Sequence, residues 1–365
     1  MTIKCLRNEL SDALQEIISV VPSSSMIPVL NHVLFKIEGE KIEMTGSDME
    51  ISLISSIKCE SGEDFQTAIP ARLFADIVKS MTEQEITMEF EENHLQIQGE
   101  HSKFLLNCMD SSEFPKFPNV EGNTYEIKSQ ELLGMFKKVN PAISAKGEGN
   151  ISFSSILLQT FANELRMVTT DGQRLIIAKH WETGDLNSLH LLIPPKVFQV
   201  LSKIVGKSVP TIHFIVGDRE IALSIDNKML ISRILEGNFP EYERVIPASV
   251  AYRFELNTHD FLQSLQRLNL LVRNTSKRIT FKAMDNELKL TANDPEIGSG
   301  EESLTIDFTG GEFEAIFDVK KMMEGIEGIE SKEVVLETAG PLHPLIMKEK
   351  ESDKFLYLLV SLRKP

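Results

Sequence analysis

The chain has 365 residues, of which 42% are hydrophobic, and its 38 lysines and arginines against 54 aspartates and glutamates give a formal net charge of −16. No apolar run approaches the roughly 20 residues of a membrane-spanning helix, and the first ten residues, MTIKCLRNEL, lack an apolar signal region. Three cysteines form no disulfide framework, so we expect a reducing, cytoplasmic environment, and the acidic balance by itself disfavours nucleic acid as a partner.

The first predicted unit alternates strands and helices. Residues 2–6 alternate in polarity and predict a short strand, and the spacing of apolar residues after Asn8 predicts a helix with that residue as its N-cap. Strands are expected up to residue 54, and a second helix is expected to begin at Pro70 and to bury Phe74 and Val78. Alternating runs at residues 86–90, 94–98 and 102–109 complete a unit of strand, helix, hairpin strands, helix and hairpin strands.

The sequence contains this unit three times. Asp48, Asp171 and Asp294 are spaced by 123 residues, and they end the alternating runs EKIEMTGSD, NELRMVTTD and NELKLTAND. A spacing this long indicates a repeated domain, because solenoid units repeat every 20–50 residues or so. Asp171-Gly172 is a hairpin-turn signal, since glycine adopts positive φ without strain and aspartate accepts hydrogen bonds from its own backbone. A turn-forming role explains all three aspartates.

A second recurrence concerns cations in the second predicted helix of each unit. Arg72, Lys196 and Lys320 are spaced by 124 residues and fall in the first helical turn, where a positive charge opposes the helix dipole. Lys79 and Lys203 follow seven residues later in the first two units, on the same face. One such lysine is ordinarily a solvated side chain. Three in register indicate a basic lining shared by the domains of an acidic protein.

Signals of catalysis or of metal binding are weak. The eight histidines form no His-x-x-x-His pair and the cysteines no Cys-x-x-Cys pair, so no metal or other cofactor is expected. Gly147-Glu148-Gly149 lacks the third glycine of a dinucleotide fingerprint and does not follow a strand. Catalytic residues would not be expected in every copy of a repeat. We therefore expect a protein without enzymatic activity.

Several motifs occur in a fixed order along the chain: MIPVLNHVLF with TGSDMEISL, TTDGQRLIIA, GNFPEYERVIP, LTANDPE and a closing apolar strand that ends in arginine. Together they resemble the bacterial DNA sliding clamps, the beta subunits of DNA polymerase III, over the whole chain. The resemblance implies an α+β fold of three repeated clamp domains, at residues 1–122, 123–249 and 250–365. Each domain would pack two helices on antiparallel sheets, and the three would form half of a ring.

The resemblance also implies a function. A homodimeric ring encircles duplex DNA without reading its sequence and tethers the replicative polymerase, the clamp loader and repair polymerases, which confers processivity. Helices line the hole, and the DNA-facing residues implied here are Arg72, Lys79, Lys196, Lys203 and Lys320. The acidic exterior then repels DNA, while the closed ring retains the duplex by topology.

The implied dimer contact closes the ring between the first domain of one copy and the third domain of the other. Exposed sheet edges are a liability unless they are paired, and a two-fold contact pairs both edges. The residues implied are Phe104 and Leu106 against Leu270 and Leu271. Lys103 is expected near the acidic cluster of Glu296, Glu301 and Glu302.

The resemblance further implies a cleft for short partner peptides beside the junction of the second and third domains. The matching residues are Phe153, Thr170, Gly172, Gln173, Arg174, Leu175, Pro240, Arg244, Val245, Leu358, Leu359, Val360, Ser361, Leu362 and Arg363. Apolar residues with interspersed arginines suit a groove for hydrophobic anchors. Leu358 and Val360 alternate on a strand, so at least one of them is expected to be core. The family pattern has His at Gln173 and Met-Pro-Met at Val360-Ser361-Leu362.

Two other classes remain open from the sequence. The first is a carbohydrate- or nucleotide-active enzyme with dispersed carboxylates, which a deep pocket with strongly shifted carboxylate pKa values would favour. The second is a monomeric adaptor of three repeated domains without a DNA role, which helix lysines pointing in different directions would favour.

Overall fold

The computed structural model describes residues 1–60, 63–91, 93–117, 119–144, 150–161, 164–181, 189–206 and 210–363, with the side chain of Trp181 excepted. Gly147-Glu148-Gly149 lies outside these ranges. The chain divides into two compact units. Unit 1 comprises residues 1–133 and 196–234, and unit 2 comprises residues 134–195 and 235–365.

The described residues of the first repeat contain two helices and eight strands. The helices are α1 (Arg7–Ile18) and α2 (Ala71–Ser80), and the strands are β1 (Thr2–Leu6), β2 (His32–Glu38), β3 (Lys41–Ser47), β4 (Ile51–Lys58), β5 (Phe65–Pro70), β6 (Glu85–Glu91), β7 (His94–Gln98) and β8 (Lys103–Asn107). The alternating runs of the sequence therefore become strands with one buried face, as in β6, where Ile86 and Met88 are fully buried.

The second repeat follows the same order. It contains β9 (Asn123–Lys128), α3 (Ser129–Val139), β10 (Ile156–Phe161), β11 (Glu164–Thr170), β12 (Arg174–Trp181), β13 (His190–Ile193), α4 (Pro195–Ile204), β14 (Thr211–Val216), β15 (Glu220–Ile225) and β16 (Lys228–Arg233). A short 3-10 helix, Tyr242–Val245, then leads into the third repeat.

The third repeat closes the chain. It contains β17 (Tyr252–Asn257), α5 (Thr258–Val272), β18 (Arg278–Met284), β19 (Glu287–Asp294), β20 (Gly298–Thr305), β21 (Asp307–Thr309), β22 (Phe313–Asp318), α6 (Val319–Ile326), β23 (Glu333–Thr338), β24 (Leu345–Glu349) and β25 (Phe355–Leu359). Asn257 caps α5 by accepting a hydrogen bond from the Asp260 backbone N–H at 3.1 Å.

Two long antiparallel sheets join consecutive repeats. In unit 1 the strand order is β5-β2-β3-β4-β16-β15-β14-β9, and in unit 2 it is β13-β10-β11-β12-β25-β24-β23-β17-β21. The join in unit 1 is the pairing of β4 with β16, and the join in unit 2 is the pairing of β12 with β25. Each half of the central repeat thus shares a sheet with a neighbouring repeat.

Two four-stranded antiparallel sheets complete the fold, with the orders β1-β6-β7-β8 in unit 1 and β20-β19-β18-β22 in unit 2. Helices α1 and α2 pack together in unit 1, and α5 and α6 pack together in unit 2. The predicted α+β class with antiparallel sheets is confirmed. Among the described residues, the edge strands β8 and β20 each have a strand neighbour on one side only.

Two predicted helix starts were wrong by one or two residues. Helix α1 begins at Arg7, not after Asn8, because the Arg7 backbone N–H bonds the Gln84 carbonyl and the Asn8 side chain accepts from the Arg7 guanidinium. Helix α2 begins after Pro70, since Pro70 still pairs with His32 as the last residue of β5.

Candidate functional site

The three recurring aspartates form the same turn. The Oδ1 atom of Asp171 accepts from the backbone N–H groups of Gln173 at 2.9 Å and Arg174 at 3.0 Å. The Oδ1 atom of Asp48 accepts in the same way from the backbone N–H groups of the second and third residues after it, at 3.0 and 2.8 Å. Asp294 accepts the equivalent two hydrogen bonds at 3.0 and 2.9 Å. The turn-forming role predicted for these residues is therefore confirmed, and each turn aims the residues after it along the next strand.

The second carboxylate oxygen of Asp171 holds a cation. Its Oδ2 accepts from Lys321 Nζ at 2.9 Å, and Lys321 also bonds the Gln173 side-chain carbonyl at 2.7 Å. Burial raises the pKa of Asp171, but the bonds from Lys321 and from the Gln173 backbone, with the charges of Lys321 and Arg174, outweigh it and lower the pKa below its usual value. Asp171 is therefore held as a carboxylate that fixes Gln173 from two sides.

Arg174 points into the interior of unit 2, and its side chain is 9% exposed. It donates to Asp171 at 3.1 Å, to the Tyr357 hydroxyl at 3.1 Å, to the Glu324 carboxylate and to the Pro141 carbonyl. Burial opposes its charge, but Tyr357 and Glu324 outweigh this and raise its pKa. Arg174 therefore acts as an internal tie between β12, β25 and α6.

The pairing of β12 with β25 brings the end of the chain beside this turn. Arg174 lies opposite Leu359 and Leu175 opposite Leu358, and the Val360 backbone N–H donates to the Gln173 carbonyl at 2.9 Å. Leu358 and Leu359 are buried, whereas Val360 is 41% exposed. Of the alternating pair Leu358 and Val360, the first is core, as expected for at least one of them. Ser361 and Leu362 are half-buried and Arg363 is exposed, and the Leu362 backbone N–H bonds the Ile316 carbonyl at 2.7 Å.

An aromatic segment joins the same region. Phe239 and Tyr242 meet edge to face with ring centroids 6.2 Å apart, and both pack in one buried cluster with Leu175 and Leu358. Beside them Pro240, Arg244 and Val245 are exposed, and Arg244 pairs only with the nearby carboxylate of Glu241 among the described residues.

The ring of Phe153 packs against the turn that Asp171 forms. A Cβ atom added at Gly172, where φ is +81°, would lie 3.2 Å from Phe153 Cζ, so the ring stands directly against the turn. Thr170 accepts at its hydroxyl from the Gly172 backbone N–H at 3.1 Å. The predicted residues therefore converge in unit 2 on a floor of Leu175 and Leu358, with Phe153 and exposed residues of three segments around it.

Sequence reasoning missed the residues that hold this region in shape. Tyr357 and Glu324 lie in no recognisable sequence motif. The sequence does not distinguish Lys321 from its neighbour Lys320, and only the folded structure shows that Lys321 contacts Asp171. The turn-forming role of Asp171 is visible in the sequence, but its bond to Lys321 depends on a helix 150 residues further along the chain. Phe239 and Tyr242 lie within the GNFPEYERV stretch, and their spacing is the only signal that the sequence offers for them.

The predicted DNA-facing cations differ in their surroundings. Arg72, Lys79, Lys203 and Lys320 are exposed, and Lys196 is half-buried. Lys196 forms an ion pair with Asp48, Arg72 donates to the Val21 carbonyl at 3.0 Å, and Lys320 lies 3.8 Å from Glu324. Within the described ranges Lys79 and Lys203 have no ion pair.

The predicted dimer residues lie on β8 and at the end of α5. Phe104 is half-buried and Leu106 faces the core of its own sheet, while Leu105 between them is 64% exposed. Leu270 is 61% exposed and Leu271 is half-buried. Glu302 already accepts two hydrogen bonds of 2.7 Å from Arg267.

The enzyme alternative requires a deep pocket with shifted carboxylates. A cavity of about 900 Å³ in unit 1 is lined by Glu9, Asp12 and Glu16, and burial raises the pKa of Glu16 against the opposing effect of Lys228. Lys228 Nζ bonds Glu16 at 2.6 Å and the Ile204 carbonyl at 3.1 Å, which makes this a structural ion pair. The described residues contain no group of three or more His, Cys, Asp or Glu suited to a metal ion, and none of their helices is long and apolar enough to span a membrane.

Comparison with known proteins gives three consecutive matches. Family models of the DNA polymerase III beta subunit match residues 1–118 for the N-terminal domain, 126–241 for the central domain and 243–363 for the C-terminal domain. A beta sliding clamp of Staphylococcus epidermidis is 27% identical, and the alignment covers 98% of this chain and 96% of that protein.

Solved structures agree on the fold. The crystal structure of the DNA polymerase sliding clamp of Bacillus subtilis superposes with a TM-score of 0.96 at 23% identity, with 100% of both chains covered. A sliding clamp of Pseudomonas aeruginosa solved with griselimycin bound gives a TM-score of 0.94 at 23% identity, also with full coverage. The three-domain clamp fold expected from the sequence is therefore confirmed, and the chain belongs to the family of the DNA polymerase III beta subunit, the bacterial DNA sliding clamp.

Proposed function

We propose that this chain acts as a DNA sliding clamp in the form of a closed homodimeric ring, without catalytic activity of its own, and that it tethers DNA polymerase III and other partners through the cleft in unit 2. The observation that carries the proposal is the full-length match to all three beta-subunit domains in order. The domain limits at residues 122/123 and 249/250 and a cytoplasmic location form part of the same proposal.

The second helices of the repeats support a role in holding DNA. Four of the five predicted cations are exposed, on a chain whose net charge is −16. Clustered cations on an acidic protein attract phosphates only where they face them, and contacts to phosphates carry no base information. Lys196 takes part less directly, because its ammonium group is already paired with Asp48.

The edges of the two small sheets support the dimer. Strands β8 and β20 each leave one side unpaired among the described residues. Leu105 on β8 and Leu270 on α5 are both more than 60% exposed, so a partner copy that pairs with these edges would bury them. We infer that β8 of one copy meets β20 and α5 of the other.

The cleft supports peptide tethering. Its floor is apolar and rigid, because Leu175 and Leu358 belong to a buried cluster and Arg174 ties the strands beneath it. The P. aeruginosa clamp solved with griselimycin is a relative of the same fold that accepts a ligand. Each large apolar anchor of a peptide would contribute roughly 1.5–3 kcal/mol before ordering costs, which gives modest affinity and allows exchange of partners.

Retention on circular DNA tests the ring. After loading by the clamp loader of its own cell, the protein is expected to stay on a nicked circular plasmid through gel filtration at high salt and to leave once the plasmid is cut. Equal loss from circular and linear DNA would contradict a closed ring.

Leu270→Asp is expected to abolish retention and to shift sedimentation toward monomer, because it places a charge in a desolvated interface. Leu342→Asp, on a leucine that is 80% exposed in a turn, is the matched control.

The salt dependence of DNA binding tests whether the cations of the second helices face DNA. Replacing Arg72, Lys79, Lys203 and Lys320 with Ala is expected to weaken DNA binding for all sequences alike and to reduce the log–log salt slope by roughly one for each phosphate that is no longer neutralised. Replacing four sheet lysines (Lys36, Lys41, Lys282 and Lys289) with Ala is the control of equal charge. The lining assignment is wrong if both sets give the same slope.

A further inference from the structure

The cleft in unit 2 has a counterpart in unit 1 made from the same three kinds of segment. The turn at Asp48 corresponds to the turn at Asp171, and β4 pairs with β16 as β12 pairs with β25. Phe114 and Phe117 meet edge to face at 5.8 Å, as Phe239 and Tyr242 do at 6.2 Å. Each aromatic pair has a proline directly after its first ring.

These counterparts converge on a cavity of about 70 Å³ that belongs neither to the cleft nor to the cationic helices. Ser52 and Ile231 line it in place of Leu175 and Leu358 in the cleft, and Pro115 and Phe117 line it from the aromatic segment. A volume of this size accommodates one side chain and not an extended set of anchors. The partial replacement of leucine by serine makes this cavity more polar than the cleft.

Met49 distinguishes the two sites most clearly. It follows Asp48 as Gly172 follows Asp171, and both residues have positive φ, at +76° and +81°. A methionine in this region is strained, whereas glycine is not, and strain of this kind is found preferentially where a structure serves a function. The Met49 side chain is 40% exposed and lines the cavity. At the corresponding place in unit 2 there is no side chain.

The rim of the cavity is electrically balanced. Lys116 and Arg233 face it together with Glu50 and Glu220, and none of the four has an ion pair among the described residues. The rim therefore favours neither an acidic nor a basic peptide, even though the chain as a whole carries a charge of −16. An uncharged peptide with a single inserted apolar side chain fits both the volume and the charge.

We propose that this cavity is a second, weaker docking site for the same class of partner peptide as the cleft, with Met49 narrowing its mouth. The inference rests on the proposed function of the cleft, since the repeat supplies the likeness between the two sites. A partner with two linked peptide segments would then engage one chain twice, and the weaker site would add retention without slowing exchange at the cleft.

The test titrates the full-length protein with a synthetic peptide that carries Gln followed by Leu and Phe anchors. Calorimetry gives stoichiometry, and the methyl signal of ¹³C-labelled Met49 reports the cavity directly. In the wild type the signal is expected to move only in a second phase, after the cleft is saturated. In Met49→Gly the second phase is expected to tighten at least tenfold, with the stoichiometry moving from one to two peptides per chain. Met26→Gly, the same substitution at a fully exposed methionine that lines neither site, is the matched control and is expected to behave as the wild type.

The two proposals fail in different ways. A first phase at one peptide per chain, with a Met49 signal that stays still to millimolar peptide and a Met49→Gly variant that also binds only one, overturns the second site and leaves the cleft intact. A titration without the first phase overturns the cleft and the second site together.

Discussion

The turns at Asp48 and Asp171 share their backbone hydrogen bonds and differ in the residues that come next. Three residues after Asp171 stands Arg174, buried with its charge paired, and three residues after Asp48 stands Ile51, fully buried and apolar. The next position is Leu175 at the proposed cleft and Ser52 at its proposed counterpart, with 3% and 6% exposure. The repeat preserves the turn through one carboxylate, whereas the chemistry of each site comes from the few residues after it.

The largest effect expected from this difference is that of Arg174→Met. Removing the guanidinium leaves Glu324, Asp171 and the Tyr357 hydroxyl without their shared partner, at an expected cost of about 3–5 kcal/mol in the free energy of unfolding. Urea unfolding followed by fluorescence reports on unit 2, because the single tryptophan, Trp181, lies in β12. Ile51→Met, at the equivalent place in unit 1, is the control. A loss below about 1 kcal/mol for Arg174→Met would show that the tie is dispensable.

A smaller, pH-dependent effect is expected from Asp171→Asn. The amide keeps the Oδ1 acceptor of the turn but loses the charged bonds to Lys321 and Arg174, for about 1.5–3 kcal/mol at pH 7. The folded-state pKa of Asp171 is lowered, so its contribution is present above the unfolded value of about 3.9 and is lost as pH falls through the folded value. Unfolding free energies of wild type and variant are therefore expected to converge below about pH 4. A difference that stays constant from about pH 7 to about pH 3 would argue against the charged role.

The residues that follow the two aspartates, Gly172 and Met49, allow two substitutions in opposite directions. Gly172→Ala is expected to cost about 1–2 kcal/mol, because φ is +81° there and the new Cβ meets Phe153 at 3.2 Å. Met49→Gly, at φ +76°, relieves similar strain but gains unfolded-state entropy, so we expect a change within about 1 kcal/mol. Thermal unfolding of both variants measures the change in stability that each substitution causes. Equal destabilisation by the two substitutions would mean that the turns are not equivalent.

The smallest effect is expected for Lys196→Met. Its ion pair with Asp48 is partly exposed, with a lysine side chain at 36%, so a loss of at most about 1 kcal/mol is expected. Lys321→Met should cost more, since Lys321 is 19% exposed and bonds both Asp171 and Gln173. Chemical denaturation of the two variants side by side decides the order, and a reversed order would remove the distinction between the two turns.

Local chemistry is predictable from this sequence, whereas interactions with distant parts of the chain are not. Alternation located strands such as β6 and β7 because that signal lies within a few neighbouring residues, and the 123-residue spacing located the turn aspartates because the same short motif recurs in each repeat. Arg174 was assigned to the cleft by resemblance, but its burial depends on Glu324 and Tyr357, which no local pattern brings near it. The predicted start of α1 was wrong for a similar reason, since Gln84 takes the bond that a cap would have supplied.

The pairing of β12 with β25 also has a consequence for how the protein is made. Arg174 pairs with Leu359, which the ribosome adds 185 residues later, or about 10–40 s at ordinary rates of synthesis. During that interval Leu175, Ile176 and Ile177 have a strand neighbour only on the β11 side, and the side that β25 later occupies is open. An unpaired apolar strand edge readily pairs with a strand of another chain. Growing chains on the same messenger RNA are therefore exposed to mispairing until β25 emerges from the ribosome. A chaperone that covers the central repeat during synthesis would protect the yield of this protein more than one that acts after release.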